Sequence, residues 1–205
     1  MTTEEKVKKI KQSFRLLMNG VTAQSLREKG LEYHLNWGAN LLHLRDLASE
    51  YEKDMNLSIA LWKEDVRECK IMAILLMPSG QFTSDLAMLW IEQLRSQEIM
   101  ELLAHNLLQH VSYASDLSFQ LLAENDDIRR MLGFNIISCL FRRKMEPNER
   151  DINEFVDQAV TALSETSMAL KHAALVAVQR FSELSDMHRA IAVGALKPLE
   201  LDYMI

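Results

Sequence analysis

Helix-breaking residues are scarce in this sequence, which has six glycines and three prolines among 205 residues. Leu, Ala, Met, Glu and Lys, which favour helices, are by contrast abundant. This combination predicts an all-α protein. Helices throughout the chain exclude the nucleotide-binding folds that are built on a parallel sheet.

Cysteine and long apolar runs are also scarce. The two cysteines, Cys69 and Cys139, lie alone in apolar surroundings, so we expect reduced core residues and not metal ligands or a redox pair. No run reaches the roughly 18 apolar residues that a membrane span needs, and the first residues lack the apolar core of a secretory signal. We therefore expect a cytoplasmic protein without a membrane segment.

The motifs of cofactor and metal chemistry are absent as well. The chain has no glycine-rich phosphate loop, no GxSxG, no HExxH and no paired cysteine and histidine zinc pattern. Its six histidines are scattered. We expect no cofactor and no metal site.

Charge does not favour nucleic acid as a default partner, since the formal net charge is −6. Basic residues nevertheless gather locally, and nucleic-acid binding depends on whether they share one face. One cluster is Lys6, Lys8, Lys9, Lys11 and Arg15, and the other is Arg129, Arg130, Arg142, Arg143 and Lys144.

Apolar residues recur at spacings of three and four along almost the whole chain, which predicts a succession of helices. The predicted helices cover about residues 3–18, 22–29, 40–51, 56–63, 65–77, 83–95, 98–109, 112–123, 126–141, 150–163, 168–183 and 186–196. Short connections require antiparallel neighbours, and two-helix units recur every 30 to 45 residues or so. The pattern predicts an α-solenoid of HEAT-like or armadillo-like helical pairs, curved and forming a single domain over residues 1–205. Residues 196–205 are a C-terminal tail, and a closed bundle is the alternative architecture.

Two kinds of side chain are candidates for chemistry. Asp85 and Glu92 are seven residues apart, so they share a helical face with Met88 between them. A carboxylate in an apolar groove can stabilise a developing positive charge or activate water. On these two residues alone we prefer the simpler interpretation, in which Asp85 is a first-turn residue favoured by the helix dipole and Glu92 is solvated. Trp62 and Trp90 are either a platform for bases or part of the core.

The segment "LRDLASEYEKDMNLSIALWKEDVRECKIMAILLM" resembles the central signature of the HEAT-like DNA alkylation repair family, the AlkD-like DNA glycosylases. Its matching elements are Leu61, Trp62, Glu64 and Glu68. The segment "ENDDIRRMLGFNIISCL" is similar to the repeat helix that opens with the family's arginine pair. The likeness covers roughly residues 31–183.

The resemblance implies a DNA partner. Active members of the family hold double-stranded DNA on a concave basic face, and two tryptophans and an aspartate contact the damaged nucleotide. Here Glu92 stands at the aspartate position, and Met88 stands at the tryptophan position four residues before it. Asp127 and Leu175 stand at further aromatic positions. Arg129, Arg130 and Lys171 keep the basic residues that contact phosphate.

Three hypotheses follow from this comparison. The first is a divergent family member that binds the DNA backbone, with excision of alkylated bases reduced or lost. The second is an active glycosylase that removes cationic alkylated purines, with Glu92 as its carboxylate. The third is a helical-repeat scaffold without enzymatic activity that binds a protein partner.

Overall fold

The computed structural model describes all 205 residues and consists of twelve α-helices joined by short connections. The helices are α1 Thr3–Phe14, α2 Gly20–Glu28, α3 Leu41–Ser49, α4 Met55–Trp62, α5 Arg67–Leu76, α6 Ser84–Glu92, α7 Gln97–Asn106, α8 Ala114–Leu122, α9 Asp127–Arg142, α10 Glu149–Ser164, α11 Met168–Ser182 and α12 Asp186–Leu196. Four short 3₁₀ turns complete the structure, at Ser79–Gln81, Leu108–His110, Lys197–Leu199 and Asp202–Met204. There is no β-strand, and a single isolated bridge joins Leu35 to Val66. Every predicted helix is present.

Polar N-caps set the start of ten of the twelve helices. In each of the ten, a side-chain oxygen of the residue before the helix accepts a hydrogen bond from a first-turn N–H group. Thr83, for example, accepts from the N–H of Leu86, as its position before α6 predicts. The helix ends were less predictable: α1 ends at Phe14 and not near Met18, because residues 15–17 form i→i+3 bonds.

Contacts divide the chain into two compact units, Met1–Leu107 and Leu108–Ile205. In the first unit, α4 and α5 form an antiparallel pair, α1 packs on α4, and both α3 and α7 pack on α5. Nine of the ten residues of α5 are buried, so α5 is an inner helix of this unit. The prediction of a single domain stays a prediction.

In the second unit, α9 is the central helix and packs against α8 and α11, while α10 and α12 pack on α11. A Cβ atom at Gly133 would lie 2.9 Å from the carbonyl oxygen of Ser118, so only glycine allows α8 and α9 to approach this closely. Phe134, Phe141, Phe155 and Phe181 form a cluster of edge-on and tilted rings in the core.

The last residues of the chain pack on α12 through two 3₁₀ turns. Leu199 and Leu201 are half-buried, Tyr203 is exposed, and the side-chain amide of Gln179 donates to the carbonyl of Met204 at 3.1 Å. The tail is therefore docked on its own unit. None of the twelve helices combines the length and the apolar character needed to cross a membrane.

Candidate nucleic-acid interface

The predicted arginine pair lies in the first turn of α9, and both guanidinium groups contact carboxylates. Arg130 is buried, and its Nη1 lies 2.7 Å from Oε1 of Glu165. Arg129 is half-buried, and its Nη1 lies 2.6 Å from Oε2 of Glu124. The Arg130 pair joins α9 to the end of α10, directly before α11 begins, so the N-termini of α9 and α11 lie side by side.

Lys171 occupies the first turn of α11, at this same end of the second unit. Its side chain is half-buried, and its ammonium group forms no ion pair or hydrogen bond. The structure therefore places the three predicted DNA-binding residues at neighbouring helix starts. Among them, Lys171 alone keeps a cation that no carboxylate neutralises.

The helix starts in this region offer no aromatic face to a nucleotide. Asp127, at a position where the family has tryptophan, is a half-buried first-turn residue of α9, and its neighbour Ile128 is exposed. Leu175 is half-buried one turn beyond Lys171 on α11. The contacts available here are electrostatic and aliphatic.

Glu92 is the last residue of α6, in the first unit. Its carboxylate is exposed and forms no hydrogen bond or ion pair. Met88, one turn earlier, is half-buried, and Leu89 and Asp85 are exposed on the same side of the helix. An exposed carboxylate is available to a substrate, but no aromatic ring stands beside it to hold a cationic base.

The two tryptophans nearest to Glu92 in the sequence belong to the core. Trp90 is 2% exposed, and its ring lies parallel to that of Trp62 with the centroids 4.1 Å apart. Trp62 Nε1 donates to Oε1 of Gln93 at 3.0 Å. Lys70 Nζ lies 4.7 Å from the Trp62 ring centroid and donates to the Trp62 carbonyl, and burial lowers the pKa of this lysine.

A buried ionic network at the start of α5 escaped the sequence reasoning. Arg67 donates to both carboxylate oxygens of Glu98, at 2.7 and 2.5 Å, and its Nη1 donates to Glu68 Oε1 at 2.9 Å. Glu68 is fully buried and also accepts from the N–H groups of Trp37 and Ala39, at 3.1 and 3.2 Å. The sequence places Glu68 in a first turn, but its partners about 30 residues away leave no local signal.

Glu68 and Arg67 thus join the connector before α3 to α5 and α7. Burial lowers the pKa of the Arg67 guanidinium, but the bonds to Glu98 and Glu68 outweigh that effect and raise it overall. The structure holds no group of three or more His, Cys, Asp or Glu side chains arranged to bind a metal ion. Cys69 and Cys139 are both free and buried.

Three comparisons with known proteins bear on this arrangement. The model of a family described as "DNA alkylation repair enzyme" matches residues 10–174. No curated protein matches the sequence.

A solved structure matches the chain with a TM-score of 0.83 and 14% sequence identity, over 93% of this chain and 82% of that chain. It is described as a new family of proteins related to the HEAT-like repeat DNA glycosylases, with affinity for branched DNA structures. At this identity the likeness concerns the fold. It confirms the prediction of an all-α protein built from HEAT-like helical repeats.

Proposed function

Because the chain belongs to the family of DNA alkylation repair enzymes, we propose that it binds the DNA backbone and has lost most of the family's capacity to excise alkylated bases. The proposal rests on what surrounds Lys171 at the starts of α9 and α11 and what surrounds Glu92 at the end of α6. A free lysine stands at the phosphate-binding end, and no aromatic ring stands beside the candidate carboxylate.

Phosphate binding rests on the ends of α9 and α11. The starts of two helices lie together there, and the partial positive charge of a helix N-terminus favours an anion. Lys171 adds a full charge without a competing carboxylate. The arginines contribute less, because a phosphate must compete with Glu124 for Arg129 and with Glu165 for Arg130.

Loss of excision rests on the surroundings of Glu92. A glycosylase that removes cationic bases needs a carboxylate near the developing sugar cation and aromatic faces near the base. Glu92 supplies a carboxylate one methylene longer than aspartate, and Met88 replaces the aromatic ring. Trp62 and Trp90 cannot substitute for that ring, since each covers a face of the other in the core.

Branched DNA is the substrate class that the structural relative suggests, since that protein has affinity for branched structures. We therefore expect tighter binding to a three-way or four-way junction than to a continuous duplex of equal length. Fluorescence anisotropy with labelled junction and duplex DNA at two salt concentrations tests this. Equal affinities would remove the branched preference, and binding that does not weaken with salt would remove phosphate recognition.

Excision is tested in the same preparations by release of 7-methylguanine and 3-methyladenine from alkylated DNA. We expect rates at background for the wild type and for Glu92→Gln. A clear wild-type rate that falls in Glu92→Gln would overturn the loss of excision and would identify Glu92 as the catalytic carboxylate.

A protein partner is the second candidate, favoured by one surface feature of the first unit. Leu16 and Val21, at the turn between α1 and α2, are 88% and 82% exposed, and Met18 between them is also exposed. Exposed apolar groups that lie together are typical of interaction sites. Failure to bind any DNA substrate at low salt would leave this function as the better one.

A further inference from the structure

A groove with a volume of about 550 Å³ runs along α1 in the first unit. Its walls include Lys8 and Lys11 of α1, Arg15 directly after α1, Leu35 and Trp37 of the connector before α3, and Glu64 after α4. The groove shares no residue with the helix ends of α9 and α11, so it is a separate surface. Its volume is in the range of small-molecule sites.

Two of the five basic residues in and directly after α1 fasten this helix to the rest of the unit. Lys6 Nζ lies 3.0 Å from Oδ2 of Asp54, and Lys11 Nζ lies 2.5 Å from Oε2 of Glu64. The hydrogen bond to Glu64 raises the pKa of Lys11. These two cations are neutralised within the protein, and Glu64 is neutralised with them.

The other three basic residues have no such partner. Lys8, Lys9 and Arg15 are exposed, and their side chains form no ion pair or hydrogen bond. Lys8 and Arg15 line the groove, whereas Lys9 does not. Seven residues separate Lys8 from Arg15, so their Cα atoms lie about 10 Å apart along the helix axis, about two turns of helix.

Trp37 supplies a fixed aromatic wall. The backbone N–H of Trp37 donates to Glu68, and its backbone carbonyl accepts from the backbone N–H of Asn19 at 2.9 Å. The next residue, Gly38, has φ +66°, and a Cβ there would lie 2.3 Å from the carbonyl oxygen of Asn19. The backbone is therefore held on both sides, while the half-buried indole contacts no other aromatic ring.

We propose that this groove binds a short single-stranded DNA segment, with one base stacked on Trp37 and backbone phosphates on Lys8 and Arg15. An aromatic face beside unpaired cations is how proteins hold single strands without sequence preference. An acidic peptide would satisfy the cations but would leave the flat indole unused. Glu4, at the far end of the α1 wall, repels phosphate, so the strand lies toward Arg15.

Tryptophan fluorescence provides the first test. Trp62 and Trp90 are buried against each other, so Trp37 is the indole that a ligand in the groove can reach. Titration with an oligothymidylate of about ten nucleotides should quench the fluorescence of the wild type and leave that of Trp37→Phe unchanged. An absence of quenching, or equal quenching in Trp37→Phe, would overturn the proposal.

Charge variants provide the second test, by anisotropy of the same labelled oligonucleotide. Lys8→Gln and Arg15→Gln should each weaken binding about fivefold, and Glu4→Gln should strengthen it. Lys9→Gln is the matched control, because it removes the same charge from the same helix outside the groove, and it should change affinity less than twofold. Equal losses of affinity in Lys8→Gln and Lys9→Gln would show that only the net charge matters and would overturn the proposed site.

Two controls separate this site from other sources of binding. Polyglutamate should compete poorly, and competition equal to that of the oligonucleotide would assign the groove to an acidic peptide instead. Lys171→Gln should leave the quenching of Trp37 by oligothymidylate unchanged, because that signal arises in the groove alone, so the groove and the proposed duplex contact at α9 and α11 can fail independently.

Discussion

The indole rings of Trp62 and Trp90 lie face to face, with centroids 4.1 Å apart and planes inclined by 1°. Trp62 is the last residue of α4, Trp90 lies in the last turn of α6, and Phe82 packs at an angle on Trp90 with centroids 4.9 Å apart. Both indoles are buried in the core of the first unit. This relationship removes the aromatic groups nearest to Glu92 from any role in binding a base.

Replacing Trp90 by alanine should cost about 3–5 kcal/mol of unfolding free energy, because a large ring would leave a cavity against Trp62. Leu89→Ala is the control: its side chain is 53% exposed on the same helix, and it should cost under about 0.5 kcal/mol. Urea unfolding followed by circular dichroism measures both. Similar costs for the two variants would contradict a core role for Trp90.

Glu68→Gln should destabilise the protein by about 3 kcal/mol, because it removes one charge from a buried ion pair and one of the two acceptors for backbone N–H groups. Glu64→Gln, in a partly exposed pair with Lys11, should cost under about 1 kcal/mol. Urea unfolding again gives both values. An equal, small effect would show that Arg67 and the connector do not depend on Glu68.

Arg130→Gln should lower the stability of the protein, whereas Lys171→Gln should weaken its binding to DNA. The first breaks the link between α9 and Glu165 and should cost about 1–2 kcal/mol of stability, since Glu165 is partly exposed and can be solvated. The second should leave stability unchanged, weaken DNA binding several-fold and reduce the salt slope by about 1. Thermal unfolding measures the stability of both variants, and anisotropy in a salt series measures their DNA binding. A loss of binding in Arg130→Gln alone would assign the phosphate contact to Arg130 and not to Lys171.

The two thiols should make the protein sensitive to alkaline pH. Burial raises the pKa of Cys69 from 9.0 to about 12 and that of Cys139 to about 11. Above pH 9 the unfolded chain loses these protons while the folded chain keeps them, so stability falls by about 1.4 kcal/mol per pH unit and thiol until the folded pKa is reached.

Serine variants at Cys69 and Cys139 should flatten the fall above pH 9, measured as unfolding free energy at pH 8, 9 and 10. At pH 8 the native protein should react with a thiol reagent only as fast as it unfolds. Rapid reaction of either thiol in the native state would contradict the burial.

Excision should increase in the double variant Met88→Trp and Glu92→Asp, because it restores an aromatic face and the shorter carboxylate one turn apart on α6. Release of 7-methylguanine should rise above the background of the wild type by tenfold or more. Met88→Leu with Glu92→Asp is the matched control without the ring. Equal rates in both double variants would show that the aromatic position does not limit the reaction.

The sequence predicted the helices well because their determinants are local. Thr83 marks the start of α6 as its N-cap, and Ile10 and Phe14, four residues apart, form the buried stripe of α1. The end of α1 was overestimated because Leu16 and Leu17 continue the apolar character without being buried. Leu16 is among the most exposed apolar residues of the chain.

The candidate site was less accessible to sequence reasoning, because its properties depend on distant partners. Arg130 reads as a free cation in the sequence, but Glu165, 35 residues later, neutralises it. Trp37 lies outside every predicted helix, and the groove beside it forms only where α1 and α4 pack together. For Trp62 and Trp90, only the folded structure decides between an open platform and a stack.

The pairs Arg67 with Glu98 and Arg130 with Glu165 repeat one arrangement: an arginine at the start of one inner helix contacts a glutamate at or just before the start of the next inner helix. Such a pair acts as a spacer of fixed length between successive repeats. Sequence drift on the outer helices can then proceed without altering the distance between inner helix starts. Substitutions at Met88 or Glu92 leave both of these ion pairs, and with them the spacing of the helix starts that they link, intact.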